Sequence, residues 1–245
     1  MKNDSKRYIR QMTLPEIGEE GQRKLAQARV LVVGAGGLGS PVLLYLAGAG
    51  VGTIGIVDND KIELINLHRQ VMHNAKNRGK PKSKSAKKVI SELNPDINVK
   101  TYDERLTSSN VSEIFDGYNL VVDCVDNFET RYIANAECVK KRVPYIHGAI
   151  LRYKGEVAIF DSKTGPCFSC IFPEPPPESI APKGSEAGIL GTMAGVVGVI
   201  QAHEAIKYIV GFKKTLTGKL LIFDGLECTM RTLELRKDPN CEVCS

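Results

Sequence analysis

At 245 residues, with 42% hydrophobic and 25% charged side chains, the chain has the length and composition of one soluble α/β domain whose core needs no covalent staples. Its net charge of +5, from 33 basic and 28 acidic residues, is too mild to argue for nucleic acid, though it would suit an acidic partner. The charged first eight residues carry no apolar leader core, and the apolar stretch at residues 188–211 is broken by Gln201, His203, Glu204 and Lys207 at helical spacing. Those features read against a secretion signal and against a membrane span, and a cytoplasmic location is expected.

Residues 5–28 read as helical, with breaks at Pro15 and Gly18. Arg29-Val-Leu-Val-Val33 is a short β-rich run of the kind found in buried parallel strands. A helix packed by small residues follows at 38–50, then a strand at 53–57 that ends at Asp58; strand, glycine-rich turn, helix and strand make a βαβ unit. The pattern then predicts a helix at 82–93 stopped by Asn94-Pro95, strands at 99–102 and 120–123, a helix at 130–142 and a strand at 144–147. This alternation predicts an α/β fold with a Rossmann-like, mainly parallel sheet and helices on both faces. Farther on, 155–161 and 219–224 read as strands, and 228–235 alternates outward and inward residues as an antiparallel strand would. The proline density of Phe172-Pro-Glu-Pro-Pro-Pro-Glu178 predicts an exposed loop.

Gly34-Ala-Gly36-Gly37-Leu-Gly39 follows the first strand and opens a helix. Glycines in this pattern allow a tight turn and close approach of phosphate or ribose, and Asp58 is placed to accept from ribose hydroxyls. The pattern points to a nucleotide, against a tight turn with no ligand, and does not choose between NAD and ATP. Ser40-Pro41 excludes a Walker A loop. Asn66, Arg69 and Lys82 then supply donors and positive charge, which a triphosphate needs when its α-phosphorus is attacked and a dehydrogenase does not. Lys84, Lys87 and Lys88 read as a solvated helix face. Asp126 follows a strand and should face the crevice, where a carboxylate can hold Mg²⁺ against phosphate oxygens; the competing reading makes it the N-cap of the next helix.

Cys167-Phe-Ser-Cys170 and Cys241-Glu-Val-Cys244 offer four thiolates for a closed, structural, tetrahedral Zn²⁺ site. Redox dithiols are the rival reading, and two such pairs in one chain argue against it. Cys124 and Cys138 fall in a strand-end motif and a helix and read as structural; Cys228 begins a strand.

Arg7-Tyr8-x-Arg10-Gln11, Gly34-x-Gly36-Gly37-Leu-Gly39, Asp58-x-Asp60, Asn66-Leu-x-Arg69-Gln70, Lys82, Asp123-Cys-x-Asp126-Asn127 and the paired C-x-x-C motifs occur in that order. Together they resemble the MoeB/ThiF/HesA family, relatives of the ubiquitin-activating enzymes, from about residue 7 to residue 244. The resemblance implies a homodimer that binds ATP and Mg²⁺ in each subunit. It implies adenylation of the C-terminal glycine carboxylate of a ubiquitin-like sulfur-carrier protein ending in Gly-Gly, with release of pyrophosphate. Carried over by motif, Gly34, Gly36, Gly37, Gly39, Asp58, Asp60, Asn66, Arg69, Gln70, Lys82, Asp126 and Asn127 would form the nucleotide site. Arg69, Lys82 and Asp126 would serve catalysis, with Arg10 reaching the phosphates of the neighbouring subunit's site. The four paired cysteines would hold Zn²⁺. On this reading residues 1–245 are one domain: N-terminal helices at 1–28, a nucleotide-binding half at 29–150, and an antiparallel, zinc-binding half at 151–245.

Some members of the family carry a cysteine in the crossing loop before Glu186-Ala-Gly188. Here Gly184 stands at that place, and no cysteine lies between Cys170 and Cys228. The sulfur donor is therefore expected to be another protein or sulfide, with molybdopterin, thiazole, cysteine and a tRNA base all open as the sulfur's destination. The other classes weighed are an NAD-dependent oxidoreductase, a tRNA-modifying dehydratase of the same superfamily, against which the cysteine tetrad argues, and a non-enzymatic zinc-and-nucleotide-binding module. No nucleic-acid or membrane partner is expected.

Overall fold

Alternate residues of the first strand, β1 (Arg29–Val33), serve two cores: Val30 and Val32 enter one apolar layer, Leu31 and Val33 the other. A strand covered on both faces must be apolar throughout, which is why this run has no polar interruption. The computed structural model describes residues 5–177 and 188–245. Its strands form one eight-stranded sheet in the order β3-β2-β1-β4-β5-β6-β7-β8. β2 (Thr53–Val57), β3 (Asn98–Tyr102), β4 (Leu120–Asp123) and β5 (Tyr145–Leu151) continue β1 in parallel. β6 (Lys154–Phe160), β7 (Lys219–Asp224) and β8 (Thr229–Glu234) add antiparallel.

The helices are α1 (Ile9–Met12), α2 (Gly18–Gln27), α3 (Gly39–Ala49), α4 (Lys82–Leu93), α5 (Val111–Ile114), α6 (Phe128–Lys141), α7 (Phe168–Ile171) and α8 (Gly191–Val210). Leu43 and Leu46 of α3, Ile90 of α4 and Val197, Ala202 and Ala205 of α8 pack on the Val30/Val32 side. Ile114 of α5, Ala134 of α6 and Phe168 of α7 pack on the Leu31/Val33 side. Helices α3 and α8 approach so closely that a Cβ on Gly198 would lie 2.5 Å from the Leu38 carbonyl oxygen.

The alternation expected at 228–235 is corrected: β8 is the edge strand, paired to β7, and all six of its residues are exposed. The fifth strand runs on to Leu151 because it pairs residue for residue with β6 in a hairpin. The N-cap of α6 is Asn127, whose Oδ1 accepts from the Thr130 amide at 2.9 Å, so the capping role weighed for Asp126 is corrected too. Gln201 and Glu204 are buried under α8: Gln201 Nε2 donates to the Asp123 carbonyl at 2.6 Å, and Glu204 Oε2 accepts from the Leu216 amide at 2.7 Å. Residues 172–177 have no regular structure, as their prolines require, while Glu178 and the crossing-loop Gly184 lie outside the described residues.

Candidate active site and metal centre

The glycine turn joins β1 to α3 and is held before any nucleotide arrives. Gly34 has φ +98°, and a Cβ there would lie 2.7 Å from the Cys124 carbonyl oxygen; a Cβ on Gly39 would lie 2.0 Å from the Gly34 carbonyl oxygen. Neither position admits a side chain. Between them, the Ala35 amide donates to Asp58 Oδ2 at 2.7 Å, and His73 Nε2 lies 2.8 Å from the Ala35 carbonyl oxygen. Burial holds His73 below its ordinary range, with Lys82 adding to the effect against the Ala35 carbonyl. A neutral ring therefore donates from Nε2 to Ala35 and accepts at Nδ1 from Ser85 Oγ, 3.1 Å away.

Asp58 leaves the carboxyl end of β2, where it also accepts from the Asp60 amide at 2.8 Å. Burial pushes its carboxyl up, against Lys82 and the two backbone donors. Asp60 accepts from Lys82 Nζ at 2.7 Å. Asn66 begins a turn in which the Arg69 and Gln70 amides both donate to its carbonyl, and Arg69 Nη2 donates to its Oδ1 at 2.9 Å. That turn lies against the glycines: a Cβ on Gly37 would be 3.5 Å from Arg69 Cγ, and one on Gly36 would be 3.4 Å from Gln70 Nε2. Gln70 Oε1 is buried without a hydrogen-bond partner among the described residues.

Gly34 to Gly39, Asp58, Asp60, Asn66, Arg69, Gln70 and Lys82 thus converge at the carboxyl ends of β1 and β2. Asp126 and Asn127 lie in the turn after β4, whose Cys124 carbonyl abuts Gly34. Asp126 is exposed and forms no ion pair with a described residue. Arg10 is not brought to this cluster. Its helix is tied at the opposite end of α3, where Gln11 Nε2 donates to the Ala49 carbonyl at 3.2 Å and the Tyr8 ring fills the space beside Gly50. The 11 residues of α3 span about 16 Å, so Arg10, exposed on α1, stands far from its own chain's glycine turn.

Two groups were missed in the sequence. One is His73, a histidine directly after the apolar pair Val71-Met72. The other is a buried ionic cluster of Asp123, Arg131 and His147 with Glu156. Burial pushes the Asp123 carboxyl up, but Arg131 and His147 outweigh it and hold the group below the usual carboxylate range. Burial also raises Glu156, and His147 outweighs that. The signal available was an ionisable residue directly after a short apolar run, Asp123 after Leu120-Val-Val122 and His147 after Tyr145-Ile146.

The four paired cysteines meet: their Sγ atoms all lie within 4.8 Å of one another. Cys167 is 3.9 Å from Cys170 and 3.7 Å from Cys241, and Cys170 is 3.4 Å from Cys244. A tetrahedral zinc with bonds of about 2.3 Å sets its sulfurs about 3.8 Å apart, so this donor set fits Zn²⁺. Asn135 supports it, with Nδ2 placed 3.8 Å from Cys167 Sγ. Cys124 and Cys138 are fully buried, and burial raises both thiols; Cys228 is exposed just before β8. Among the described residues no helix is long and apolar enough to cross a membrane.

The chain is similar to known proteins. A sulfur carrier protein adenylyltransferase of Thermus thermophilus is 48% identical over 99% of this chain and 92% of its own length. An adenylyltransferase and sulfurtransferase MOCS3 of Culex quinquefasciatus is also 48% identical, and this chain spans 56% of it. The crystal structure of E. coli MccB with ATP has the same fold, with a TM-score of 0.87 over 98% of this chain and 75% of that one at 24% identity. The ThiF family model matches residues 8–243, and the chain belongs to the ThiF family.

Proposed function

We propose that this chain is an adenylyltransferase that uses ATP to activate the C-terminal glycine carboxylate of a ubiquitin-like sulfur-carrier protein, in the cytoplasm and as a homodimer. The observation that carries this reading is the 48% identity to a sulfur carrier protein adenylyltransferase across 92% of that protein. The convergence of glycine turn, ribose-accepting carboxylate and cations supports it.

The carrier's terminal carboxylate is ionised near neutral pH and needs no general base. One of its oxygens forms a bond to the α-phosphorus of ATP. The bond from that phosphorus to the bridging oxygen breaks, and pyrophosphate leaves with the electron pair. Asp58 takes the ribose hydroxyls, and the glycine turn lets the backbone approach the nucleotide. Arg69 and Lys82 meet the charge that builds on the phosphates, with Arg10 of the neighbouring subunit beside them. Asp126 would hold Mg²⁺, which would supply further charge neutralisation at the phosphates. Cys167, Cys170, Cys241 and Cys244 hold Zn²⁺ as a structural tie. Sulfur from a donor, another protein or sulfide, then bonds to the acyl carbon of the adenylate, and AMP leaves with the electron pair of the broken acyl–oxygen bond.

The test is ATP–pyrophosphate exchange with a ubiquitin-fold carrier ending in Gly-Gly, beside the same carrier lacking its last glycine. Exchange with the first and not with the second is expected. Carrier-independent exchange, or binding of NADH in preference to ATP, would overturn the proposal.

A further inference from the structure

Strands β4 and β5 pair only at Val121–Tyr145 and Val122–Ile146, and where they part an ionic cluster fills the gap. His147 Nδ1 lies 3.1 Å from Asp123 Oδ2, and its Nε2 lies 3.2 Å from Glu156 Oε1 on β6. Each contact is attractive only while that nitrogen carries a hydrogen. The aromatic rings of Phe160, Phe168 and Phe172 also pack beside the imidazole and restrict its orientation. The His147 side chain is 1% exposed and Glu156, at the outer end, is 31% exposed.

The cluster grips the chain just before Asp126 from both sides. Asp123 Oδ1 accepts from the Val125 amide at 3.1 Å, and Arg131 Nη2 donates to the Val125 carbonyl at 2.8 Å. Arg131 Nη2 also donates to the Gly148 carbonyl at 3.1 Å, and its Nε pairs with Asp123 Oδ2 at 3.2 Å. Gln201 Nε2 holds the Asp123 carbonyl. Two carboxylates here share the Arg131 guanidinium and the His147 ring, and deleting one member leaves a buried charge uncompensated.

We infer that His147 and Glu156 are positioning residues for the adenylation: acting through Asp123 and Arg131, they fix the Val125 backbone and so the direction in which Asp126 meets the nucleotide. Neither touches substrate. The inference rests on the role proposed above for Asp126. Groups that hydrogen-bond to a metal's ligands change metal affinity or activity by about 10–100-fold when removed, and His147 and Glu156, one step farther out, should act at the lower end of that range.

The experiment uses the full, zinc-loaded chain as His147→Leu, Glu156→Gln and Asp126→Ala. Hydrogen exchange at the Val125 amide is measured without nucleotide, and the Mg²⁺ concentration for half-maximal pyrophosphate exchange is measured with ATP and carrier. For His147→Leu, we expect Val125 to exchange about ten-fold faster while β1 amides stay protected. The Mg²⁺ requirement should rise about ten-fold with KM for carrier unchanged. Glu156→Gln, at the half-buried end, should fold normally and shift both readouts in the same direction by a smaller factor. Wild-type Val125 protection and Mg²⁺ requirement in both variants, beside an inactive Asp126→Ala, would overturn this inference alone. An Asp126→Ala protein working at the wild-type rate would overturn the Asp126 reading and this inference with it.

Discussion

Lys82 Nζ lies 2.7 Å from Asp60 Oδ2, with the lysine side chain only 5% exposed and the aspartate 61% exposed. A cation so deeply placed needs anions, and in the absence of nucleotide Asp60 is its hydrogen-bonded partner, with Asp58 close enough to feel its charge. Asp60→Asn should therefore lower the melting temperature of the nucleotide-free protein, and ATP, by bringing phosphate charge, should restore part of the loss. Lys82→Ala should cut pyrophosphate exchange roughly 10²–10³-fold, the scale of a lost charge-stabilising group. Thermal shift with and without ATP checks the first, and an ATP-independent loss would count against a phosphate role for Lys82.

Asp126→Ala and Arg10→Ala should each lose exchange activity on the same scale, and the two should complement. In a mixed dimer one site keeps its own Asp126 and receives Arg10 from the other subunit. After subunits are mixed and allowed to redistribute, about a quarter of the wild-type number of sites should work. No recovery, with dimers shown to have exchanged, would show that Arg10 does not act on the neighbouring subunit's site.

His73 makes acid sensitivity local to the glycine turn. Burial holds its folded-state value below 6.5, so the unfolded chain binds a proton that the folded one refuses. Stability is full above pH 6.5 and is lost as pH falls from there through the folded-state value. His73→Gln should flatten that part of the curve of melting temperature against pH. A variant whose acid limb matches the wild type would show that other groups set it.

Elemental analysis should find one zinc per chain, retained through purification, since structural zinc is bound by about 10–16 kcal/mol in small peptides. Cys244→Ser should lose the metal and melt at a much lower temperature. Two disulfides in a metal-free protein of unchanged stability would refute the zinc assignment.

Incubation with carrier, ATP and Mg²⁺ should yield an acyl-adenylate that hydroxylamine traps, with no reducible conjugate on the enzyme. A thioester needs an accessible thiolate, and Gly184 provides none. Cys124 and Cys138 are buried, leaving Cys228 as the exposed thiol outside the zinc set. Intact mass spectrometry decides: a mass gain equal to the carrier less water, removed by dithiothreitol and abolished by Cys228→Ala, would make this a two-step thioester enzyme.

Much of this was legible in the sequence because its signals are local. Val30 to Val33 declare a two-sided strand, Asn66 and Arg69 meet within a single turn, and each C-x-x-C pair announces itself at a spacing of three. Contacts assembled across the fold left no such trace. Asp123, Arg131, His147 and Glu156 come from four different elements, so no periodicity links them. Gln201 and Glu204 have the spacing of an exposed stripe, and only the carbonyl of Asp123 and the amide of Leu216 explain why they are inside. The exposure of β8 follows from its place at the sheet edge, which sequence alternation does not encode.

The cysteine cluster also sets how the molecule would bear load. β8 is held to the sheet by one neighbour, and a pull on the chain beyond it would otherwise unzip that edge one hydrogen bond at a time. Cys241 and Cys244 anchor the chain just after β8 to Cys167 and Cys170, 74 residues earlier and beside the inner strands. With a metal closing the cluster, tension applied at Ser245 would fall first on sulfur–metal bonds, and β8 would be shielded from peeling until they gave way.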